Sequence, residues 1–242
     1  MKRLVLLSLF AAQTIALIGA AVLVRQYYIE SLETKAVPVN EQVYERANAL
    51  LPAKSQMRVV LFGDSRVEQW SPPPQIDGAE IVNRGIDGET TAQMRLRFDA
   101  DVLQLHPDVV VIQAGINDLV AASLSAHAGD RIRQGLKDNL RQFAAKSAAA
   151  GARVVLLTII PPASPSLLRR PVWNSDIVRY VSDINAFIRS LDGRDGVTIV
   201  DAARLLAPTG GELPAEYARD TLHFKSAAYE VLNKSLATHL RP

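Results

Sequence analysis

The sequence predicts a three-layer α/β fold, with helices on both faces of a five-stranded parallel sheet and one apolar helix ahead of it. Three observations carry this. From Met57 onward short apolar runs alternate with amphipathic stretches. Those runs lack polar residues at alternate positions, as strands covered on both faces require. The 242-residue chain also opens with an uncharged run from Leu4 to Val24, bounded by Lys2-Arg3 and Arg25.

That opening run of 21 residues, at about 1.5 Å per residue, spans roughly 31 Å as a helix, close to the hydrocarbon thickness of a bilayer. Residues 1–25 are therefore expected to be an uncleaved signal anchor. A cleaved signal peptide with a site near Gly19-Ala20-Ala21 is the alternative, although its apolar core would usually be only about 7–15 residues. The basic amino-terminal flank points that end to the cytoplasm. The expectation is a single-pass inner-membrane protein with a periplasmic body, or else a soluble exported one. Residues 26–56, with Pro38 and Pro52, read as a tether that is partly helical around Glu41–Leu50, and residues 57–242 as the folded domain.

Within that domain Arg58–Phe62 is a β-rich run stopped by Gly63, and Glu80–Asn83 is a second short strand. Thr90–Leu105 has helical spacing, with Met94, Leu96, Phe98, Val102 and Leu105 as core contacts. Asp108–Gln113 is a strand ending at Ala114-Gly115. Arg131–Ala150 is a helix closed by Gly151 in the C′ position. Arg153–Ile160 is an apolar strand stopped by Pro161-Pro162. Ser175–Leu191 is helical, Val197–Val200 is the fifth strand, and Ser226–Leu240 is a final helix with Ser226 as a candidate N-cap.

Composition removes several function classes. There is no cysteine, so disulfides, thiolate metal sites and a cysteine nucleophile are excluded. Three of the 27 basic residues lie in the first 25 positions beside no acid. The rest of the chain therefore holds 24 against 25 acids, a net charge of −1. A near-neutral body makes no electrostatic case for nucleic acid. HExxH, GxxxxGK and GxGxxG patterns are missing, and Asp99 and Asp101 are two residues apart, so they do not share a helix face. No metal or other cofactor is expected.

In a parallel α/β sheet, sites form beyond the carboxyl ends of the strands. There the chain places Gly63-Asp64-Ser65-Arg66, Asn83-Arg84-Gly85 and Gly115-Ile116-Asn117-Asp118, with Asp220-Thr221-Leu222-His223 before the last helix. Each residue alone has a structural reading. Ser65 could be an N-cap, Gly85 a turn glycine, Asn117 a loop cap and His223 a helix-start histidine. Together they supply what hydrolysis by a serine needs. Ser65 would be the nucleophile, His223 its general base and Asp220 the group that orients the imidazole. The backbone N–H groups of Ser65 and Gly85 and the Asn117 amide would bind the oxyanion. His106, His127 and His239 have no aspartate at a suitable strand end.

These blocks resemble the SGNH hydrolases, also called the GDSL esterase/lipase superfamily. Ser65, Gly85, Asn117 and His223 fall on its four letters, and Asp220 on the aspartate of its DxxH block. NRGIDGETT and VVVIQAGINDL are similar to its platelet-activating-factor-acetylhydrolase-like and carbohydrate acetylesterase-like branch. The resemblance spans residues 57–240. It implies a flavodoxin-like sandwich and a membrane-tethered serine esterase acting through an acyl-enzyme, its substrate a glycan or lipid ester of the cell envelope. A lysophospholipase or acyl thioesterase is the nearest alternative, and a catalytically silent envelope-binding domain the alternative of another class. The family's usual leucine after the serine is here Arg66, a cation that would favour an anionic substrate. Trp70, Pro72–Pro74 and the loop Pro161–Trp173 are candidate walls of the acyl pocket, and Asp118 a tie between loops.

Overall fold

The structure, a computed structural model, describes residues 2–36, 43–194 and 196–240. The chain divides into two compact units, Met1–Asn40 and Glu41–Pro242. The first is the helix α1 (Lys2–Ala36), whose stretch Leu7–Tyr27 has a mean hydropathy of 2.2 and is long and apolar enough to cross a membrane. A signal sequence would share those properties. α1 runs well past Arg25, so part of the expected tether is helix, while residues 37–42 of that tether lie outside the described residues.

The second unit begins with the short helix α2 (Glu45–Ala49). It continues through β1 (Met57–Gly63), α3 (Ser65–Glu68), β2 (Ala79–Gly85), α4 (Thr91–Asp101), β3 (Val109–Gln113), α5 (Ile116–Leu124) and α6 (Gly129–Ala149). After them come β4 (Arg153–Leu157), α7 (Asp176–Arg189), β5 (Val197–Val200), α8 (Ala202–Leu206) and α9 (Ser226–His239). All strand pairs are parallel, in the order β2-β1-β3-β4-β5. This is the flavodoxin-like arrangement, with its switch point where β1 lies between β2 and β3. Gly63 pairs with both Gly85 and Gln113, so three segments leave the sheet at one level.

Alternation along β1 builds two cores. Val60 and Phe62, with Val110 and Ile112 of β3, pack under α4, α5, α6 and α7. Val59 and Leu61, with Val109 and Val111, pack under α3, α8 and α9. Phe62 meets the rings of Phe98 and Phe143 at 5.2 and 5.5 Å, an arrangement that adds edge-on aromatic attraction to area burial.

Several expected boundaries move. β4 stops at Leu157, because the Asn185 side chain takes both backbone groups of Ile159, at 2.7 and 2.8 Å, in place of a strand partner. α4 stops at Asp101 and a 3-10 turn covers Leu103–Leu105. Leu96 is exposed, since it lies two residues from each of the buried pair Met94 and Phe98 and so on the opposite face. Ser226 is the first helical residue, and Lys225 is the N-cap. Gly151 follows α6 at φ +82°, as expected of a C′ glycine. α5 had no counterpart in the sequence reading.

The body also starts before Met57. The Tyr44 hydroxyl donates to the Gly85 carbonyl and its ring lies 4.6 Å from the Arg84 guanidinium. Asn48 accepts from Arg84 at 2.7 and 2.9 Å and donates to Asp101 at 2.8 Å.

Candidate active site

Gly63 ends β1 in a turn so tight that a Cβ there would stand 2.1 Å from the Gln113 carbonyl. Asp64 then caps α3, its Oδ1 accepting the Arg66 N–H at 3.0 Å. Ser65 therefore sits at the first position of that helix, directly beyond the sheet. Its N–H has no hydrogen-bond partner among the described residues.

Ser65 Oγ lies 3.1 Å from His223 Nε2. On the other side of the ring, Nδ1 is 2.8 and 3.0 Å from the two oxygens of Asp220. A carboxylate can only accept here, so Nδ1 carries the proton and the Nε2 lone pair faces the hydroxyl. Burial pushes the Asp220 carboxyl up. The amides of Leu222 and His223, at 2.8 and 2.9 Å, together with the imidazole, outweigh this and hold it down at about 2. It is a permanent anion behind the histidine. This line of groups can pass the Ser65 proton to the ring and stabilise the imidazolium that results.

Asn117 lies in the first turn of α5, not in a loop. One hydrogen of its amide goes to the Glu89 carbonyl at 2.9 Å, which leaves the other for a ligand. Its neighbour Asp118 joins α5 to α4 by accepting from Thr91 N and Oγ1 at 2.9 and 2.6 Å, and burial raises its carboxyl to about 6.

Gly85 departs from expectation. Its N–H is engaged by Asn83 Oδ1 at 2.8 Å, and a Cβ there would fall 2.0 Å from Glu68 N. It is a close-packing residue between β2 and α3, not a free donor. Three residues on, Gly88 turns the chain at φ +72°, between Asp87 and the Glu89 whose carbonyl holds Asn117. Asp87 Oδ1 stands 3.9 Å from His223 Nε2, and the Gly88 N–H has no partner among the described residues. Neither Asp87 nor Gly88 was singled out from sequence. Their only signal was membership of the NRGIDGETT block.

Arg66 also departs from expectation. Its side chain is fully buried and does not face a substrate. Nε donates to the Leu222 carbonyl at 2.9 Å and Nη1 to the Ile160 carbonyl at 2.7 Å, with the Phe224 ring 4.5 Å away. Tyr229 donates to the Arg66 carbonyl at 2.9 Å. Burial lowers the guanidinium only to about 10, so it stays charged at neutral pH. It braces the loop that presents Asp220 and His223.

A groove of about 850 Å³ opens beside His223, lined among others by Ala163, Leu168, Val172, Leu213 and Arg219. The loop Pro161–Trp173 thus does supply a wall. Trp70 and Pro72 do not: the Trp70 ring packs 5.4 Å from Tyr229, and both residues are tied to Asn233. A second cavity of about 400 Å³, near Arg189 and Asp201, contains none of the four motif residues.

Residues 61–231 match the GDSL-like Lipase/Acylhydrolase family. The chain belongs to that family. It is 34% identical over 119 residues to the uncharacterised lipoprotein YqeF of Bacillus subtilis, covering 43% of this chain and 48% of that one. It is 43% identical over 42 residues to an acetylxylan esterase of Geobacillus stearothermophilus, covering 17% and 19%. The chain thus spans about half the length, or less, of these two curated relatives. Among solved structures, a GDSL-like lipase from Bacteroides thetaiotaomicron superposes with a TM-score of 0.67 at 26% identity, covering 83% of this chain and 96% of that one.

Proposed function

We propose that this acylhydrolase-family chain is a serine esterase that removes acetyl or short-to-medium acyl groups from envelope carbohydrate or lipid through an acyl-enzyme. The observation that carries this reading is the continuous line from Ser65 Oγ through His223 to Asp220, at 3.1 and 2.8 Å. Ser65 attacks the ester carbonyl as His223 Nε2 takes its proton. The oxyanion is met by the Ser65 N–H, the free hydrogen of Asn117 Nδ2 and, in place of Gly85, the N–H of Gly88. Such fixed donors are typically worth about 10²–10³-fold each in rate. His223 then returns the proton to the leaving alkoxide. Water enters by the reverse of these steps and frees the acid.

The acetylxylan esterase relative supports a small acyl group on a carbohydrate. The apolar helix α1 supports a membrane anchor, with the amino terminus cytoplasmic and the body outside the inner membrane. The relative named as a lipoprotein is compatible with that placement.

The test is hydrolysis of p-nitrophenyl acetate and butyrate by the full chain in detergent. Ser65→Ala and His223→Ala are each expected to lose on the order of 10⁴-fold or more in kcat, and Asn117→Ala about 10²–10³-fold. A fluorophosphonate should label Ser65 in the wild type. Undiminished turnover by Ser65→Ala overturns the reading.

A further inference from the structure

Among the described residues from Met57 on, six large apolar side chains are exposed. The three most exposed, Leu168 at 93%, Leu167 at 76% and Val172 at 65%, lie within one six-residue stretch. That stretch is the tip of the loop walling the groove beside His223. It is a built tip: the N–H groups of Arg169 and Arg170 both donate to the Ser166 carbonyl, and a 3-10 turn follows over Arg170–Val172. Trp173 at its base packs against the core. Asn174 then donates to the Ser123 carbonyl at 2.6 Å, beside Leu124, which is itself exposed.

The charge on the tip has one sign. From Pro161 to Ser175 the chain carries Arg169 and Arg170 and no acid. Among the described residues neither arginine forms an ion pair, although the Arg169 guanidinium lies 5.7 Å from the Trp173 ring. The acid bonded to the loop is Glu212, which takes the Ser164 hydroxyl at the loop's base. Adjacent leucines next to adjacent arginines, with a tryptophan behind them, match the requirements of an interface. The apolar side chains enter the acyl boundary while the guanidinium groups stay with phosphate headgroups.

We propose that the tip Ser166–Trp173 docks on an anionic lipid bilayer and holds the groove mouth against that surface. The occupant is a bilayer and not a free protein partner for two reasons. The patch is small, three exposed apolar side chains beside two arginines that form no ion pair among the described residues, which suits shallow insertion among anionic headgroups. And the 15 residues between Tyr27 and Val43 could span no more than about 50 Å even if extended, so on the anchor reading a bilayer is never far from the start of this domain. The inference rests on the anchor reading for that proximity, but not on the esterase reading.

The absence of cysteine in the chain makes the test direct. Leu167→Cys carrying an environment-sensitive dye, in the full chain, is added to phosphatidylcholine vesicles with or without phosphatidylglycerol. The expected result is a blue shift, with quenching by acyl-chain-brominated lipid that is stronger in the anionic vesicles. The same dye at exposed Lys234→Cys on α9 should remain in water. Flotation with the vesicles reports anchoring separately: a chain that floats with a water-exposed dye keeps its anchor and overturns the docking. A blue shift before lipid is added indicates contact with another copy and overturns it. So does a shift that is equal in both bilayers, since the arginines then select nothing. A kinetic arm, which alone rests on the esterase reading and is run once the wild type is seen to hydrolyse p-nitrophenyl acetate, uses Leu167→Ser/Arg170→Gln, neither of which lines the groove. Its kcat/KM should fall about tenfold or more on a vesicle-borne ester and stay unchanged on soluble p-nitrophenyl acetate.

Discussion

On the α4 side of Ser65 a buried arginine is held by carboxylates; on the α9 side a second one is held by carbonyls. Arg97 meets Glu89 at 2.6 Å and Asp101 at 3.1 Å, and also donates to the carbonyls of Arg84 and Gly63. It ties the end of β1 to the loop that carries Gly88. Arg66 holds Leu222 and Ile160 by their carbonyls, and the carboxylates that act on it, Asp64 and Asp220, form no ion pair with it among the described residues. Both side chains are fully buried. One brace is an ion-pair network under the oxyanion side, the other a charged guanidinium bonded to neutral carbonyls under the base. The first should therefore govern whether the domain folds, and the second how well His223 is aimed.

The largest effect should come from Arg97→Met. It leaves two buried carboxylates without their cation, a loss of about 3–5 kcal/mol, read as a lower urea midpoint at constant m-value. A loss below about 1 kcal/mol would mean that water already reaches Glu89 and Asp101, and the contrast between the two sides would collapse.

Little of this contrast was visible in the sequence, although the frame around it was. Val109–Gln113 and Val154–Leu157 are legible as buried strands because both of their faces are apolar. The residues that follow them are legible as a site because parallel sheets put sites there. A cation's burial is a different kind of fact. Arg66 reaches Ile160 and Leu222, 94 and 156 residues away in sequence, and no local pattern encodes such an acceptor. The choice between Gly85 and Gly88 was equally hidden, since it turns on which N–H the Asn83 side chain takes. Leu96 was misplaced by treating every apolar residue of α4 as core, and α5 was missed because its start coincides with the motif that drew attention to Asn117.

Acid titration sharpens the comparison next. Burial raises both Asp64 and Asp118 to about 6, against roughly 4 in an unfolded chain. The folded state then keeps protons that the unfolded state has lost. The stability from these carboxyls is full below about pH 4 and is lost as pH rises through about 6, at most about 3 kcal/mol for each. Asp220, held at about 2, works oppositely and its contribution fades as pH falls through about 2. Unfolding free energy should therefore decline between pH 4 and 7, and Asp118→Asn should remove about half of that decline. An unchanged slope would mean that neither carboxyl is raised.

Arg66→Met should be milder for folding, about 2 kcal/mol, because it orphans two carbonyls and leaves Asp64 free to protonate. Its kcat on p-nitrophenyl acetate should nevertheless fall by roughly tenfold to a hundredfold with KM little changed, as misaimed groups do. Asp64 would titrate at still higher pH, since the Arg66 guanidinium is the largest of the influences that oppose its rise, the others being the Arg66 backbone N–H and His223. Equal damage to kcat from Arg97→Met, measured well below its melting temperature, would erase the division between folding brace and aiming brace.

The smallest effect tests where the α4-side brace ends. Tyr44 extends that network outward: its hydroxyl donates to the Gly85 carbonyl while its ring covers Arg84, which in turn holds Asn48. Tyr44→Phe keeps the ring over the guanidinium and deletes only the hydrogen bond, so the expected loss is about 1 kcal/mol. The Gly85 carbonyl lies at the carboxyl end of β2, one residue before the turn that carries Asp87 and Gly88. Loosening it should therefore reach kcat as well as stability, by a few-fold at most. A variant as stable as the wild type would place the segment before Met57 outside the cooperative unit. The body would then begin at β1, and the α4-side brace would end at Arg84.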